Sequence, residues 1–446
     1  MTIVIVGAGE VGLHIANQLV SGSKDVTIIE KNPEIAARAR DSIDCLVIIG
    51  EGTNVETLKA ANVDKADIFI AATSIDEVNM MSCFVAASEF NVPIKIARVK
   101  KVEYIKNNLL KNSDIGIDYI VNPELEAAED IIHTVNSGAT TGIYTFGASR
   151  AQLRDFIIKD DSPFVNVHIT EVRKILAQNF IIACVVRGDQ IFVPKGDFQL
   201  LEGDHIYVVA IGRSFNAIFN KIGLTVDKLK KIIVVGGGLI SKQVVSQLLE
   251  DGKIITIIEK DFEKCKELSS LFPEADVING DISDREVFQE ENLGSADAIV
   301  STTANEELNI LSGVYAKSKG VKRAIAVIDR LNYTPLAGNL GIDSCISAKL
   351  SSGDAILKFI RKGKIRNVYT IFEGTAEAIE FKVSKKSPFL GKKIKDLELP
   401  EDSLILSVQR NRKTYIPTGD FEIALRDIII IFITIDQIKE LEDLIQ

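Results

Sequence analysis

The feature that most constrains this chain is an internal duplication. Ile3-Val4-Ile5-Val6-Gly7-Ala8-Gly9 returns as Ile232-Ile233-Val234-Val235-Gly236-Gly237-Gly238. At the same offset Val26-Thr27-Ile28-Ile29-Glu30-Lys31 returns as Ile255-Thr256-Ile257-Ile258-Glu259-Lys260. One residue further out of step, Glu77-Val78-Asn79 matches Glu307-Leu308-Asn309. A shorter unit also repeats. Pro194-x-Gly196-Asp197-Phe198, followed by Asp204, returns as Pro417-x-Gly419-Asp420-Phe421, followed by Asp427. Ser162-Pro163-Phe164 returns as Ser387-Pro388-Phe389. The order is therefore A-B-A′-B′, and whatever fold the chain takes is built twice from two modules. The expected domains are 1–136, 137–224, 225–363 and 364–446.

Each A unit alternates short apolar runs with amphipathic stretches. In the first copy the runs are 3–6, 26–29, 45–49, 68–71, 94–99 and a shorter 119–121, with helical patterns at 11–19 and 55–61 among those between them. Continuous apolar strands alternating with helices specify a parallel sheet covered on both faces, a doubly wound Rossmann-like α/β domain. Each B unit has short runs split by turn residues, at 180–186, 190–193 and 205–210, plus one helical stretch. This is the pattern of a small β-rich α+β domain. Helical segments at 124–135 and 352–361 are expected to join A to B, and the basic run 358–366 reads as a solvated linker.

Composition narrows the function. With 52 Lys+Arg against 62 Asp+Glu, the net charge is −10, which opposes a nucleic-acid partner. Tryptophan is absent, so stacking platforms for bases or sugars are not expected. The five cysteines are scattered without a CxxC pair, which suits reduced thiols of a cytosolic protein and no metal site. Met1-Thr2 leads straight into the first strand with no basic, apolar leader. The longest apolar run, 428–433, is a buried strand and too short to span a bilayer.

Chemistry concentrates in the loop after the first strand of each A unit. Gly7-Ala8-Gly9-Glu10-Val11-Gly12 is a GxGxxG loop between a strand and a helix. Gly7 allows the turn, Gly9 allows backbone to approach a pyrophosphate, and Gly12 allows helix and strand to pack closely. The helix N-terminus offers free N–H groups to phosphates. Glu30 closes the second strand, where a carboxylate accepts from ribose hydroxyls and opposes a 2′-phosphate, so NAD(H) is expected over NADP(H). Thr73 and Ser74 end the fourth strand and Arg98 ends the fifth, facing the same crevice. The second copy keeps Gly236, Gly237, Gly238 and Glu259 but places Ser241 at the third glycine and Val327 at Arg98. Serine is small enough for close packing to survive there. No His, Lys or Tyr cluster suggests an acid/base group, and His14 and His205 read as structural, so a soluble NAD-dependent oxidoreductase is the weaker alternative.

These residues carry a resemblance. The run 3–12, Glu30, Ala72-Thr73-Ser74-x-Asp76-Glu77-x-Asn79, Ile96-Ala97-Arg98-Val99, the second glycine loop and the two Pro-x-Gly-Asp repeats resemble the TrkA family of tandem RCK proteins. These are regulatory subunits of bacterial Trk potassium transporters. The resemblance covers essentially the whole chain. It implies a cytoplasmic, non-enzymatic subunit, peripheral on the inner membrane face through a TrkH-type pore partner. It implies a homotetrameric ring that responds to NAD(H), or to ATP or ADP in the same crevice. Family nucleotide contacts map onto Gly7, Ala8, Gly9, Glu10, Val11, Glu30, Thr73, Ser74 and Arg98. In the second half they map onto Gly236, Gly237, Gly238, Leu239, Ile240 and Glu259. No metal ligand and no nucleic acid are implied.

Overall fold

A computed structural model describes the chain apart from residues 23, 107–115, 137–143, 147–150, 159, 161, 177–178, 189, 212–217, 219–228, 285–286, 288–292, 361–364, 372–374 and 446. The expected domain boundaries at 136/137, 224/225 and 363/364 touch these segments and lie outside the described residues, as does part of the basic run 358–366.

In the first A unit the elements are β1 (Thr2–Val6), α1 (Glu10–Ser21), β2 (Asp25–Glu30), α2 (Pro33–Ser42), β3 (Leu46–Ile49), α3 (Val55–Ala60), β4 (Ile68–Ala71), α4 (Asp76–Phe90), β5 (Ile94–Arg98), α5 (Val102–Lys106), β6 (Tyr119–Val121) and α6 (Pro123–Asn136). Its sheet runs β3-β2-β1-β4-β5-β6, parallel throughout. In the first B unit come β7 (Tyr144–Thr145), β8 (Ala151–Ile157), α7 (Ile169–Leu176), β9 (Phe180–Arg187), β10 (Gln190–Phe192) and β11 (His205–Ile211).

The second A unit has β12 (Lys231–Val235), α8 (Leu239–Glu250), β13 (Ile254–Glu259), α9 (Phe262–Leu271), β14 (Asp276–Asn279), β15 (Ala298–Ser301), α10 (Glu306–Ser318), β16 (Arg323–Val327), α11 (Thr334–Asn339), β17 (Ser344–Ile346) and α12 (Ala348–Ile360). Its parallel sheet has the same order, β14-β13-β12-β15-β16-β17. The last unit has β18 (Ile365–Ile371), β19 (Ala376–Lys382), β20 (Ser403–Arg410), β21 (Lys413–Tyr415), β22 (Ile428–Thr434) and α13 (Ile438–Ile445).

The central strands are apolar on both faces because helices cover both: every residue of β4, and all of β1 after Thr2, is buried. In each A sheet the chain turns in opposite directions after the first and fourth strands. The crevice between those strand ends is where ligands of such sheets sit.

The chain forms two compact units, and they do not follow chain order. One comprises Met1–Thr140 with Asp227–Phe359, and the other Thr141–Val226 with Ile360–Gln446. Thus A packs with A′ and B with B′. The helical segments between A and B are also packing elements of the A pair. Helix α6 leaves its own sheet and buries Ala128, Ile131, Ile132 and Val135 among Val244, Val245 and Leu248 of α8. Helix α12 approaches α1 in return, with His14 Nε2 2.8 Å from Asp354 Oδ1. The Phe359 ring stacks on Tyr119 at 4.2 Å. An apolar stripe unmatched in its own domain explains the crossing.

The B sheets run β10-β9-β11-β8-β7 and β21-β20-β22-β19-β18, antiparallel and topologically identical. They share one core, in which Leu153, Ile181 and Val209 meet Ala378, Leu406 and Phe432. The repeated Asp204 and Asp427 are fully buried, each gripped in a two-pronged fork. Arg187 Nε and Nη2 donate to Asp204 at 2.7 and 2.8 Å, and Arg410 does the same to Asp427 at 2.8 and 2.7 Å. Among the described residues no helix is long and apolar enough to cross a membrane. The five cysteines are free thiols.

Candidate functional site

Three glycines of the first loop have three different reasons to be glycine. Gly7 has φ +103°, a conformation side chains rarely adopt. A Cβ on Gly12 would lie 1.9 Å from the Gly7 carbonyl oxygen, so helix and loop touch backbone to backbone. Gly9 has neither constraint. Its φ of −72° suits any residue, and a Cβ there would meet nothing within 4 Å among the described residues. The fold does not require glycine at this position. The space beside it is open to whatever approaches the loop from outside the chain. Gly238 repeats this, with φ −76° and open space. Both are N-caps, and neither helix receives a side-chain cap hydrogen bond. The first-turn N–H groups at Glu10, Val11, Leu239 and Ile240 therefore lie at a cradle shaped for an anion.

Glu30 has a role within the fold itself. Its buried carboxylate accepts from Ala8 N–H at 2.8 Å and from Asn32 N–H at 2.9 Å, clamping the glycine loop to the end of β2. A carboxylate has about four lone-pair sites, so capacity remains for ribose hydroxyls. Glu259 accepts from Asp261 N–H at 2.9 Å.

The second loop differs by compensated pairs. Where the first half has Ala8 and Ala39, the second has Gly237 and Leu268. A Cβ on Gly237 would come within 2.9 Å of Leu268 Cδ1 and 3.0 Å of Glu259 Oε2. Where the first has Gly12 and Ala72, the second has Ser241 and Thr302. Their hydroxyls bond at 2.6 Å, and Thr302 Oγ1 donates to Val235 O at 3.0 Å. Besides being small, Ser241 brings a buried polar partner with it.

Thr73 is held rather than free. Its N–H and Oγ1 both donate to Asn79 Oδ1, at 2.8 and 2.7 Å. Asn79 Nδ2 donates back to Thr73 O and across to Arg98 O. Asn309 repeats the bracket with Thr303 and Val327. These asparagines fasten the ends of the fourth and fifth strands together. Their repetition was visible in the sequence, but their role was not. Ser74 is exposed beside this bracket. Arg98 is buried, with Nη1 donating to Thr73 O at 3.2 Å and Nε without a hydrogen-bond partner among the described residues. Burial draws the guanidinium below its ordinary pKa, and nearby Asp76 and Asp329 oppose that. Asp329 belongs to the second half, so the first crevice is walled partly by A′.

The other contribution from A′ had no sequence signal. Lys349, near the start of α12, lies with Nζ 2.7 Å from Glu10 Oε2. Among the described residues no group of three His, Cys, Asp or Glu side chains could hold a metal.

Known proteins share this architecture. The profile of the TrkA-N domain matches residues 3–123 and 232–348, and that of the TrkA-C domain matches 153–223 and 378–446. A Trk system potassium uptake protein TrkA homolog 1 of Methanosarcina mazei is 33% identical, with 99% of each chain covered. A Trk system potassium uptake protein TrkA of Azorhizobium caulinodans is 29% identical over 100% of this chain and 98% of its own. Among solved structures, the GsuK channel bound to NAD superposes with a TM-score of 0.56 at 17% identity, covering 100% of this chain and 78% of that one. The GsuK RCK domain gives 0.56 at 18%, covering 100% and 94%. At such identity these structures speak to fold.

Proposed function

From the premise that this chain belongs to the TrkA family of potassium uptake proteins, we propose that it is the nucleotide-sensing regulatory subunit of a potassium uptake system. The open cradle at Gly9 and Gly238 carries the reading, because nothing inside the fold asks for glycine there. NAD(H) fits the carboxylates of Glu30 and Glu259 at the ribose position, and ATP or ADP shares the same adenosine half. The dinucleotide acts as a ligand whose binding is the signal, rather than as a hydride carrier to a substrate.

The subunit would work by population shift. A nucleotide that binds two arrangements of the A pair unequally biases them by that difference and no more. Because α6 and α12 each cross to the opposite A unit, closing a crevice moves the helix that the other half holds. The readout would be a TrkH-type membrane pore partner at the inner face of the membrane, contacted by a homotetrameric ring. The 136/137, 224/225 and 363/364 boundaries belong to this proposal as well.

Calorimetric titration of NADH, NAD+, ATP and ADP into wild type, Gly9→Val and Gly238→Val tests it. These variants are cleaner than Glu30→Ala, which would also release the Ala8 clamp. Both should fold, and each should weaken binding at its own crevice by roughly a hundredfold or more. Unaltered binding in both variants, or no binding by wild type, would sink the proposal.

A further inference from the structure

We propose that Lys349, supplied by the second half, is the residue through which the first crevice reads the terminal phosphate of its nucleotide. This rests on the nucleotide-sensing reading above and adds a ligand charge preference to one of the two sites.

The placement carries the argument. Glu10 is the first residue of α1, directly after the Gly9 cradle, and Lys349 Nζ lies 2.7 Å from its carboxylate. The ammonium is thus held one residue from the backbone that would meet a pyrophosphate. The pair is partly exposed, with side chains at 34% and 56%, and such pairs add little to stability. As a staple between halves it is weak; as a positioned cation it is well placed. A lysine ammonium has three donors on a flexible stem, so it can turn from one carboxylate oxygen to a more highly charged phosphate. Arg98 adds a second cation to the same crevice, buried and with its Nε unpaired among the described residues.

The second half differs at all three positions. Leu239 stands for Glu10, Val327 for Arg98, and Glu124 for Lys349. The last equivalence is fixed by the caps. Asn122 Oδ1 accepts from Leu125 N–H as Ser347 Oγ accepts from Leu350 N–H, two residues around each position. By this equivalence the second crevice has no cation at these positions and would face a carboxylate instead. The two crevices share a fold for adenosine and a ribose acid but differ in the charge offered to what lies beyond. The first suits a triphosphate, and the second suits a ligand without a terminal phosphate, such as a dinucleotide.

The test uses the full chain carrying Gly238→Asp, which closes the second cradle with a carboxylate. ATP, ADP and NAD+ are titrated into this parent, and into it with Lys349→Gln, Lys349→Arg or Glu10→Gln. The parent should prefer ATP to ADP. Lys349→Gln should weaken ATP roughly tenfold, bring the ATP-to-ADP ratio close to one, and leave NAD+ within about twofold. Lys349→Arg should keep most of the preference. Glu10→Gln should strengthen ATP by removing the competing carboxylate. An unchanged ATP affinity in Lys349→Gln overturns the inference, and so does an equal loss for all three ligands, which would mark a structural role. If the parent binds none of the three, the nucleotide reading of the first crevice falls and takes this inference with it.

Discussion

The two A units offer a comparison within a single chain. They have the same strand order, the same N-cap dihedrals, the same asparagine bracket and the same terminal acid on the second strand. Two kinds of difference separate the packing around the loops from the crevice rim. Inside, substitutions come in pairs that preserve packing: Ala8 with Ala39 against Gly237 with Leu268, and Gly12 with Ala72 against Ser241 with Thr302. At the exposed rim they come without compensation: Glu10 and Lys349 against Leu239 and Glu124, with the buried Arg98 against Val327 as a separate case. A close-packed interior constrains volume jointly, so one change demands another. A solvated rim imposes no such demand, and there the halves are free to diverge in charge.

Three experiments would break or sharpen that contrast. The largest effect is expected in the B units, where the repeats are equivalent. Arg187→Met and Arg410→Met each leave a fully buried aspartate without its fork. Each should cost about 3–5 kcal/mol of stability, by equal amounts, in denaturant unfolding of the full chain. Unequal losses would show that the B copies have diverged as the crevices have.

Next, Gly12→Ala should cost about 3 kcal/mol, because its Cβ would strike the Gly7 carbonyl oxygen. Ser241→Ala, at the same position in the other half, loses only one hydroxyl and leaves Thr302 bonded to Val235, for about 1 kcal/mol. Equal costs measured by thermal unfolding would contradict the paired-substitution account.

The third concerns Asp130 on α6, whose counterpart on α12 is Ala355. Burial against the other half holds the Asp130 carboxyl up at about 6, even though Ser351 Oγ donates to it at 2.5 Å. Its pKa is raised on folding, so the folded state binds a proton that the unfolded chain has released. Stability should therefore fall as pH rises from about 4 to 6 and stay low above that. Asp130→Asn should add up to about 2 kcal/mol at pH 7.5 and little at pH 4. Unfolding midpoints at both pH values check this, and a gain equal at both would place the cause elsewhere.

Much of the molecule was legible beforehand, for identifiable reasons. Parallel doubly wound sheets followed from continuous apolar runs, since a strand covered on both faces has no polar side to show. The glycine loops followed from spacing, since Gly7 and Gly12 meet backbone limits local to a strand–turn–helix. The crossing of α6 and α12 was missed because an amphipathic stripe says that a helix needs a partner and not which one. Glu30 reads from the sequence as the acid that ends the second strand, but its grip on Ala8 depends on a loop more than twenty residues away. Asn79 shows in the sequence as a repeated residue, but its bracketing role does not, because a buried amide has no periodic signature.

The sequence by itself determined what depends on near neighbours: the duplication, the strand and helix patterns, the turn glycines and the acid ending the second strand. Tertiary structure alone decided which halves pair and what surrounds the first crevice. His14 meets Asp354 across 340 residues, and Glu10 meets Lys349 over a similar span. No local pattern encodes such contacts. They exist because two apolar helices bury themselves on opposite sheets and carry their charged residues with them.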